Sequence, residues 1–345
     1  MKKTFAFIIA FITLVLFGGN SSQAAQNKPN VIRIGSAYSA GYGKPYSAGI
    51  IGIVHAKGLL EEEFKNDGIR FDWAFFKGAG PATNESLANN AIDFAYIGDL
   101  PAIVGRAGGL KTKFIAGGSK YINVYIGVPS DSKIASIQEL KGKRVGLFKG
   151  TNAHLALARI LEANNLKESD LRIYNLGIAD IDAALKTKNI DAAVAWTNLL
   201  QLRSQGNVKI IYSTKQSPQD WRNTGGFYVT EKFANAYPEI TKRIVKVYVQ
   251  AARWASDEQN RNEFIAISVK GGTPRAVVLE EIEGRTLRDV NDLLFDKNYV
   301  NHYAGGIAFA KQRGLIRNVF DVNTWIDRSY LDAALKELKL ENFWK

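Results

Sequence analysis

Short apolar runs alternate with longer amphipathic stretches along most of this chain, and the alternation predicts strands and helices in turn. Val31 to Gly35 reads as a strand, and Ser47 to Phe64 as a helix broken or bent near Gly58. Phe71 to Phe76 is a strand, Pro81 to Asn90 a helix, Ile92 to Ile97 a strand, and Leu100 to Arg106 the start of another helix. The rhythm then returns. Tyr121 to Val128 is a strand, Ser136 to Leu140 a helical turn, Arg144 to Phe148 a strand and Asn152 to Asn164 a helix. Ile173 to Leu176, Ala192 to Trp196 and Val208 to Tyr212 are strands, with a helix over Ile178 to Lys186 between the first two. After a strand near Gly226 to Thr230 the pattern becomes helical: Tyr237 to Asp257, Arg261 to Val269, Thr273 to Glu283, Asp289 to Arg313 and Val322 to Glu341.

Alternation of this kind builds an α/β sheet with crossover helices. Asn123 to Val128 is expected to carry the chain from a first lobe into a second, and Gly226 to Thr230 to bring it back. One lobe would then comprise residues 25–124 and 224–345, and the other residues 125–223. Two strands joining two α/β lobes make a hinge.

Four places share one local design, in which an apolar strand ends, a Gly or small polar turn follows, and a helix begins. They are Phe75 to Pro81 with Gly78 and Gly80, Ala95 to Pro101 with Gly98 and Asp99, Leu147 to His154 with Thr151 and Asn152, and Val194 to Leu199 with Trp196, Thr197 and Asn198. The first amides of a helix have no partner within it, and the aligned peptide dipoles place roughly half a positive charge there. A sulfonate, phosphate or nitrate suits such an end. In open α/β sheets the carboxyl ends of the strands line the ligand crevice, so facing lobes would point all four turns into one cleft. Each residue also has a plainer reading. Asp99 and Asn152 are good helix caps. Trp196 fills a core as readily as it walls a cleft, His154 packs beside a cleft as readily as it donates to a ligand, and Lys149 reads as a solvated charge.

Composition narrows the setting. Lys2 and Lys3, the apolar run Phe5 to Phe17 and the small residues of Ser22-Gln23-Ala24 form a signal peptide over residues 1–24, with cleavage expected before Ala25. The apolar run is short of the roughly 20 residues that span a bilayer. There is no Cys, which excludes thiol nucleophiles, Cys-based metal sites and a lipid on an N-terminal Cys. Export without a lipid anchor favours the periplasm. The net charge of +12 favours anionic partners. Lys141-Gly142-Lys143-Arg144 is the densest basic group and has no interleaved aromatics, so nucleic acid is not the expected partner. His55, His154 and His302 are the only histidines. They show no metal spacing and no cofactor or metal is expected.

The stretches Ala79-Gly80-Pro81 and Ile92 to Pro101 resemble the first-lobe signature of sulfonate-, taurine- and nitrate-type ABC substrate-binding proteins. Leu140 to Val145 followed by Lys149 to His154 is similar to their second-lobe signature, especially in the aliphatic-sulfonate branch. Ile190-Asp191-Ala192, Trp196, Phe227-Tyr228-Val229 and Tyr237-Pro238-Glu239 continue the match in order over nearly all of the mature chain. The resemblance implies a type II periplasmic-binding-protein fold, a ligand in the interlobe cleft and docking of the closed form onto a membrane permease. It also implies that Gly80, Gly98, Asp99, Thr151, Asn152 and Trp196 lie at or near the ligand. Gly78, His154, Thr197, Asn198 and Phe227 complete the candidates from these segments. A monomer is assumed.

Two departures bear on the ligand. Trp196-Thr197-Asn198 stands where the family usually has Trp-Asp-Pro. A wall without that carboxylate argues against a cationic amine such as taurine and for a simple anion or sulfate ester. The segment Tyr38 to Tyr46 is longer than expected for a first strand–helix loop; Tyr38, Gly41 and Tyr42 are candidate contacts to an organic tail, and Lys44 to an acid. Nitrate, taurine or a pyrimidine-type heterocycle are the alternative ligands. An enzyme on the same fold, such as a thiamine-pyrimidine synthase or a chorismate-type dehydratase, is the alternative function. The Cys-rich segment of those synthases is missing here, and no nucleophile elbow is present.

Overall fold

The computed structural model describes residues 28–37 and 46–345. The signal-peptide reading, and the candidates Tyr38, Gly41 and Tyr42 with Lys44, lie outside the described residues.

Among the described residues, ten strands form two five-stranded sheets. They are β1 (Val31–Ala37), β2 (Arg70–Phe76), β3 (Phe94–Gly98), β4 (Thr112–Gly117), β5 (Tyr125–Pro129), β6 (Arg144–Leu147), β7 (Arg172–Asn175), β8 (Ala192–Ala195), β9 (Val208–Ser213) and β10 (Gly225–Thr230). The first sheet has the order β2-β1-β3-β10-β4 and the second β7-β6-β8-β5-β9. β1 runs parallel to β2 and β3, and β6 runs parallel to β7 and β8. Each sheet receives one antiparallel strand between its third and fifth positions: β10 lies between β3 and β4, and β5 between β8 and β9. Those two strands directly follow the two crossings between the sheets. The crossing segments pair where Ile122 and Asn223 exchange two backbone hydrogen bonds of 2.8 Å.

The two sheets repeat one foundation. Asp93, just before β3, accepts from the Arg33 amide at 2.9 Å and from its guanidinium at 3.0 and 2.9 Å. Asp191, just before β8, takes the Arg144 amide at 2.8 Å and its guanidinium at 3.2 and 2.7 Å. An Ile-Asp pair thus anchors the start of β3 to β1 and the start of β8 to β6.

A large apolar cluster surrounds the first sheet, with Tyr228, Tyr248, Tyr299 and Tyr303 fully buried in it. Two smaller clusters cover the two faces of the second sheet. Val277, from the helix Arg275–Glu281, joins one of these. That helix is bound further by Tyr125 Oη donating to Glu281 at 2.6 Å and by Arg203 donating to Glu280 at 3.1 and 2.6 Å.

Several expected elements take other bounds. The helix broken near Gly58 divides there into Gly49–Ala56 and Leu59–Glu63. β4 was not expected at all. Tyr121 to Val124 crosses between the sheets and only Tyr125 begins the strand. The helix expected over Asp289 to Arg313 is two, Leu287–Val290 and Lys297–Gln312. Between them the Leu293 carbonyl takes the Gly117 amide at 2.9 Å, and the Asp296 side chain caps the second helix through the Tyr299 amide at 2.8 Å. The helix expected over Val322 to Glu341 is also interrupted, giving Val322–Trp325 and Arg328–Glu337. There Ile326 bridges Phe114, and the Asp327 amide donates to the Phe114 carbonyl at 2.9 Å. In both interruptions a backbone bond to β4 replaces a helical one. No described helix is long and apolar enough to cross a membrane.

Candidate binding site

The arrangement 2-1-3 at one side of each sheet makes β1 and β3, and likewise β6 and β8, neighbours whose connections leave in opposite directions. A crevice opens beyond the carboxyl ends of such strands. Ser36, Ala37 and Gly98 at the ends of β1 and β3 line a cavity of about 270 Å³, together with Thr151 and Trp196 just beyond β6 and β8. The cavity therefore lies where the two sheets face each other.

Six helices begin at its wall: Gly49–Ala56, Ala79–Ala88, Asp99–Ala107, Asn152–Ala163, Ile178–Lys186 and Thr197–Ser204. In the Asp99–Ala107 helix the Asp99 amide donates to the Thr224 carbonyl at 3.0 Å, the Leu100 amide to Asp99 at 2.6 Å, and Pro101 has no N–H; the first amides and dipoles of the other five favour an anion at the wall. Every described lining residue is uncharged. The described wall thus combines helix dipoles with hydrogen-bond donors and no cationic side chain. Ile97, Pro101, Ile122, Ile178 and Trp196 supply apolar surface. Gly80 lets its helix approach the next one, since a Cβ there would stand 2.3 Å from Pro101 Cγ.

Of the sequence candidates, Gly80, Gly98, Thr151, Asn152, Trp196, Thr197 and Asn198 come together on this wall. Thr151 Oγ1 donates to the Phe148 carbonyl at 2.6 Å. Asn198 accepts from the Trp196 amide at 3.1 Å and donates to Asp182 at 2.8 Å, which fixes the turn after β8.

Gly78, Asp99, His154 and Phe227 are not among the described residues that line the cavity. Gly78 is the residue before the helix Ala79–Ala88. Asp99 is buried; one carboxylate oxygen accepts from the Leu100 amide at 2.6 Å, and the other from His302 Nε2 at 2.7 Å and the Thr224 amide at 3.2 Å. It caps its own helix and ties it to the returning strand. His154 Nδ1 accepts from the Gly150 amide at 3.2 Å, so Nε2 carries the proton and donates to Glu168 at 3.0 Å. That bond holds the Glu168 carboxyl below its ordinary range, and the pair braces the turn from behind. Phe227 is fully buried, stacked at 5.6 Å on Phe94 and 4.8 Å on Tyr248.

The sequence reading missed several lining residues. Ser36 and Ser47 share a buried hydrogen bond of 2.6 Å. Ser36 ends a strand before a helix, as the four chosen turns do, and that signal was available. Tyr96 Oη accepts from the Ser119 amide and pairs with its hydroxyl, both at 2.9 Å; burial pushes the Tyr96 phenol up. Inside an apolar strand Tyr96 looks like core. Ser119, Ile122, Thr224 and Gly225 line the cavity from the two crossings, and no turn-and-helix pattern marks them.

The NMT1/THI5-like profile matches residues 64–261, more than half of the chain. The chain belongs to the NMT1/THI5-like family. A Bacillus subtilis protein named as an aliphatic sulfonates-binding protein is 26% identical over 342 residues, covering 98% of each chain. The structure of a periplasmic sulfonate-binding protein of a sulfonate ABC transporter, SsuA from Methylobacillus flagellatus, matches with a TM-score of 0.78 and 33% identity, over 91% of this chain and 96% of that one. The alkanesulfonate-binding protein SsuA from Xanthomonas axonopodis pv. citri, bound to MOPS, matches with a TM-score of 0.74 and 22% identity, over 88% and 99%. This NMT1/THI5-like chain therefore has the periplasmic-binding-protein fold, two α/β lobes joined by two chain crossings.

Proposed function

We propose that this protein is the periplasmic solute-binding component of an ABC importer and captures a small anion, an aliphatic sulfonate or sulfate ester, between its lobes. One observation carries the reading. Six helix N-termini from both sheets meet at one small cavity whose described lining is uncharged. Five of these ends can meet an anion through backbone amides, the first amides of the Asp99 helix being spent on Thr224 and Asp99, and the apolar part of the lining suits an organic group. The names of the relatives agree with that chemistry. With Asp99 tied to His302 and Thr224, no carboxylate is offered to a cationic amine by the described wall, which disfavours taurine.

The lobes follow sheet membership, residues 25–124 and 224–345 against 125–223, with the hinge at the Ile122–Asn223 pair. Ligand contacts from both lobes favour the closed form, and the closed monomer docks on the permease.

Thermal shift with alkanesulfonates, taurine, aryl sulfate esters, nitrate and neutral pyrimidines tests this, followed by calorimetry. A ligand at a hundred times its Kd stabilises the native state by about 2.7 kcal/mol, so an alkanesulfonate should raise the Tm clearly. A response to a neutral heterocycle alone would refute the anion reading. Turnover of any ligand by the purified protein would favour an enzyme.

A further inference from the structure

Asn223 sits on the returning crossing, 2% exposed. Its backbone is fixed by the two bonds to Ile122. With its amide oriented to satisfy both neighbours, its oxygen accepts from Trp196 Nε1 at 2.9 Å and its nitrogen donates to the Asn152 carbonyl at 3.1 Å. Trp196 and Asn152 are two of the cavity's walls, one following β8 and the other opening the helix after β6. A single hinge side chain therefore joins both.

We propose that Asn223 is a positioning residue that occupies the Trp196 indole N–H and so presents Trp196 to the ligand as an apolar ring rather than as a hydrogen-bond donor. This deepens the reading of the cavity as a sulfonate site and rests on it. An indole N–H left free at the wall would seek the polar head of a ligand. Held by Asn223, it leaves the head to the helix amides and the ring to the organic group. The site then gains affinity as the tail of the anion lengthens, up to the limit set by the cavity. An amide suits this position because it accepts and donates at once. A carboxylate keeps the bond to the indole but turns an acceptor toward the Asn152 carbonyl, and an aliphatic side chain leaves both buried groups unsatisfied.

The test is calorimetric titration of methanesulfonate, propanesulfonate and butanesulfonate into the wild type, Asn223→Leu, Trp196→Phe and the double variant. Wild-type affinity is expected to rise along the series. Asn223→Leu, which frees the indole N–H and the Asn152 carbonyl, should weaken butanesulfonate about tenfold and flatten the rise. On the Trp196→Phe background, which has no indole N–H, most of that effect should vanish in the double-mutant cycle. If Asn223→Leu does not fold, Asn223→Asp serves: it should weaken all three ligands and keep the rise. Binding by the wild type with the rise intact in Asn223→Leu, an equal effect of that change on the Trp196→Phe background, or a flattened rise in Asn223→Asp would overturn the assignment. Absence of binding to any sulfonate by the wild type would instead remove the functional reading beneath it.

Discussion

Gly98 and Asn152 meet across the cavity so closely that a Cβ on Gly98 would lie 2.8 Å from Asn152 Nδ2 and 3.1 Å from its Cγ. One ends β3 of the first sheet and the other begins the helix after β6 of the second. Gly98 has φ −72° and ψ 169°, which any residue adopts, so the backbone does not demand glycine. The neighbour across the cleft does. Gly98→Ala should therefore leave the unliganded Tm nearly unchanged and oppose closure. Overpacking costs about 1–3 kcal/mol, and calorimetry should show affinity reduced about tenfold or more.

Leu155 and Leu157 lie two residues apart on one helix and should give opposite readouts. Leu157 is buried in the second sheet's own cluster, whereas Leu155 is buried in the cluster of the first sheet. Leu157→Ala removes contacts within one lobe and should lower unfolding free energy by about 2–5 kcal/mol, measured by urea titration. Leu155→Ala removes contacts between the helix after β6 and the first sheet's cluster. It should mainly raise the ligand Kd, with a smaller fall in unliganded stability.

Thr151 separates site from scaffold in another way. Its hydroxyl bonds to Phe148 but does not cap the helix that follows. Thr151→Leu should cost about 1 kcal/mol of stability from that bond, while its bulk enters the cavity. Affinity should fall by far more than stability, and equal affinity at unchanged Tm would remove Thr151 from the site.

Glu168 makes stability depend on pH. Its hydrogen bond from His154 lowers its folded pKa from the ordinary 4.5, so the folded state holds the ionised form more strongly than the unfolded chain does. That contribution is present above pH 4.5 and is lost as pH falls through the depressed value. Glu168→Gln should be less stable than the wild type at pH 6, and the gap should narrow progressively below pH 4.5. Urea titrations between pH 3 and 6 check this; a gap that widens in acid would contradict it.

The strand–helix alternation was legible because each segment's own apolar spacing specifies it. Ile178–Lys186 and Arg261–Val269 fall on the expected bounds. β4 was not legible. Thr112–Gly117 becomes a strand through its ladder with β10 and bonds from Leu293 and Asp327, partners more than a hundred residues away. The same long-range bonds cut two expected helices. Seven candidates in the strand–helix turns, Gly80, Gly98, Thr151, Asn152, Trp196, Thr197 and Asn198, reached the cavity wall, because a strand end and a helix start are local events, although Gly78 in the same kind of turn did not. His154, Asp99 and Phe227 did not, since side-chain direction depends on partners such as Glu168, His302 and Tyr248 that no spacing announces.

By itself the sequence determined the α/β alternation and the turns whose amides could receive an anion, which follow from neighbouring residues. Only the tertiary structure decided that six helix starts share one cavity, that Ser119, Asn223 and Thr224 on the crossings join them, and which polar side chains spend their hydrogen bonds on the scaffold instead. The reason is that a wall made by two lobes exists only once distant segments are packed together, and burial then makes every polar group choose a partner.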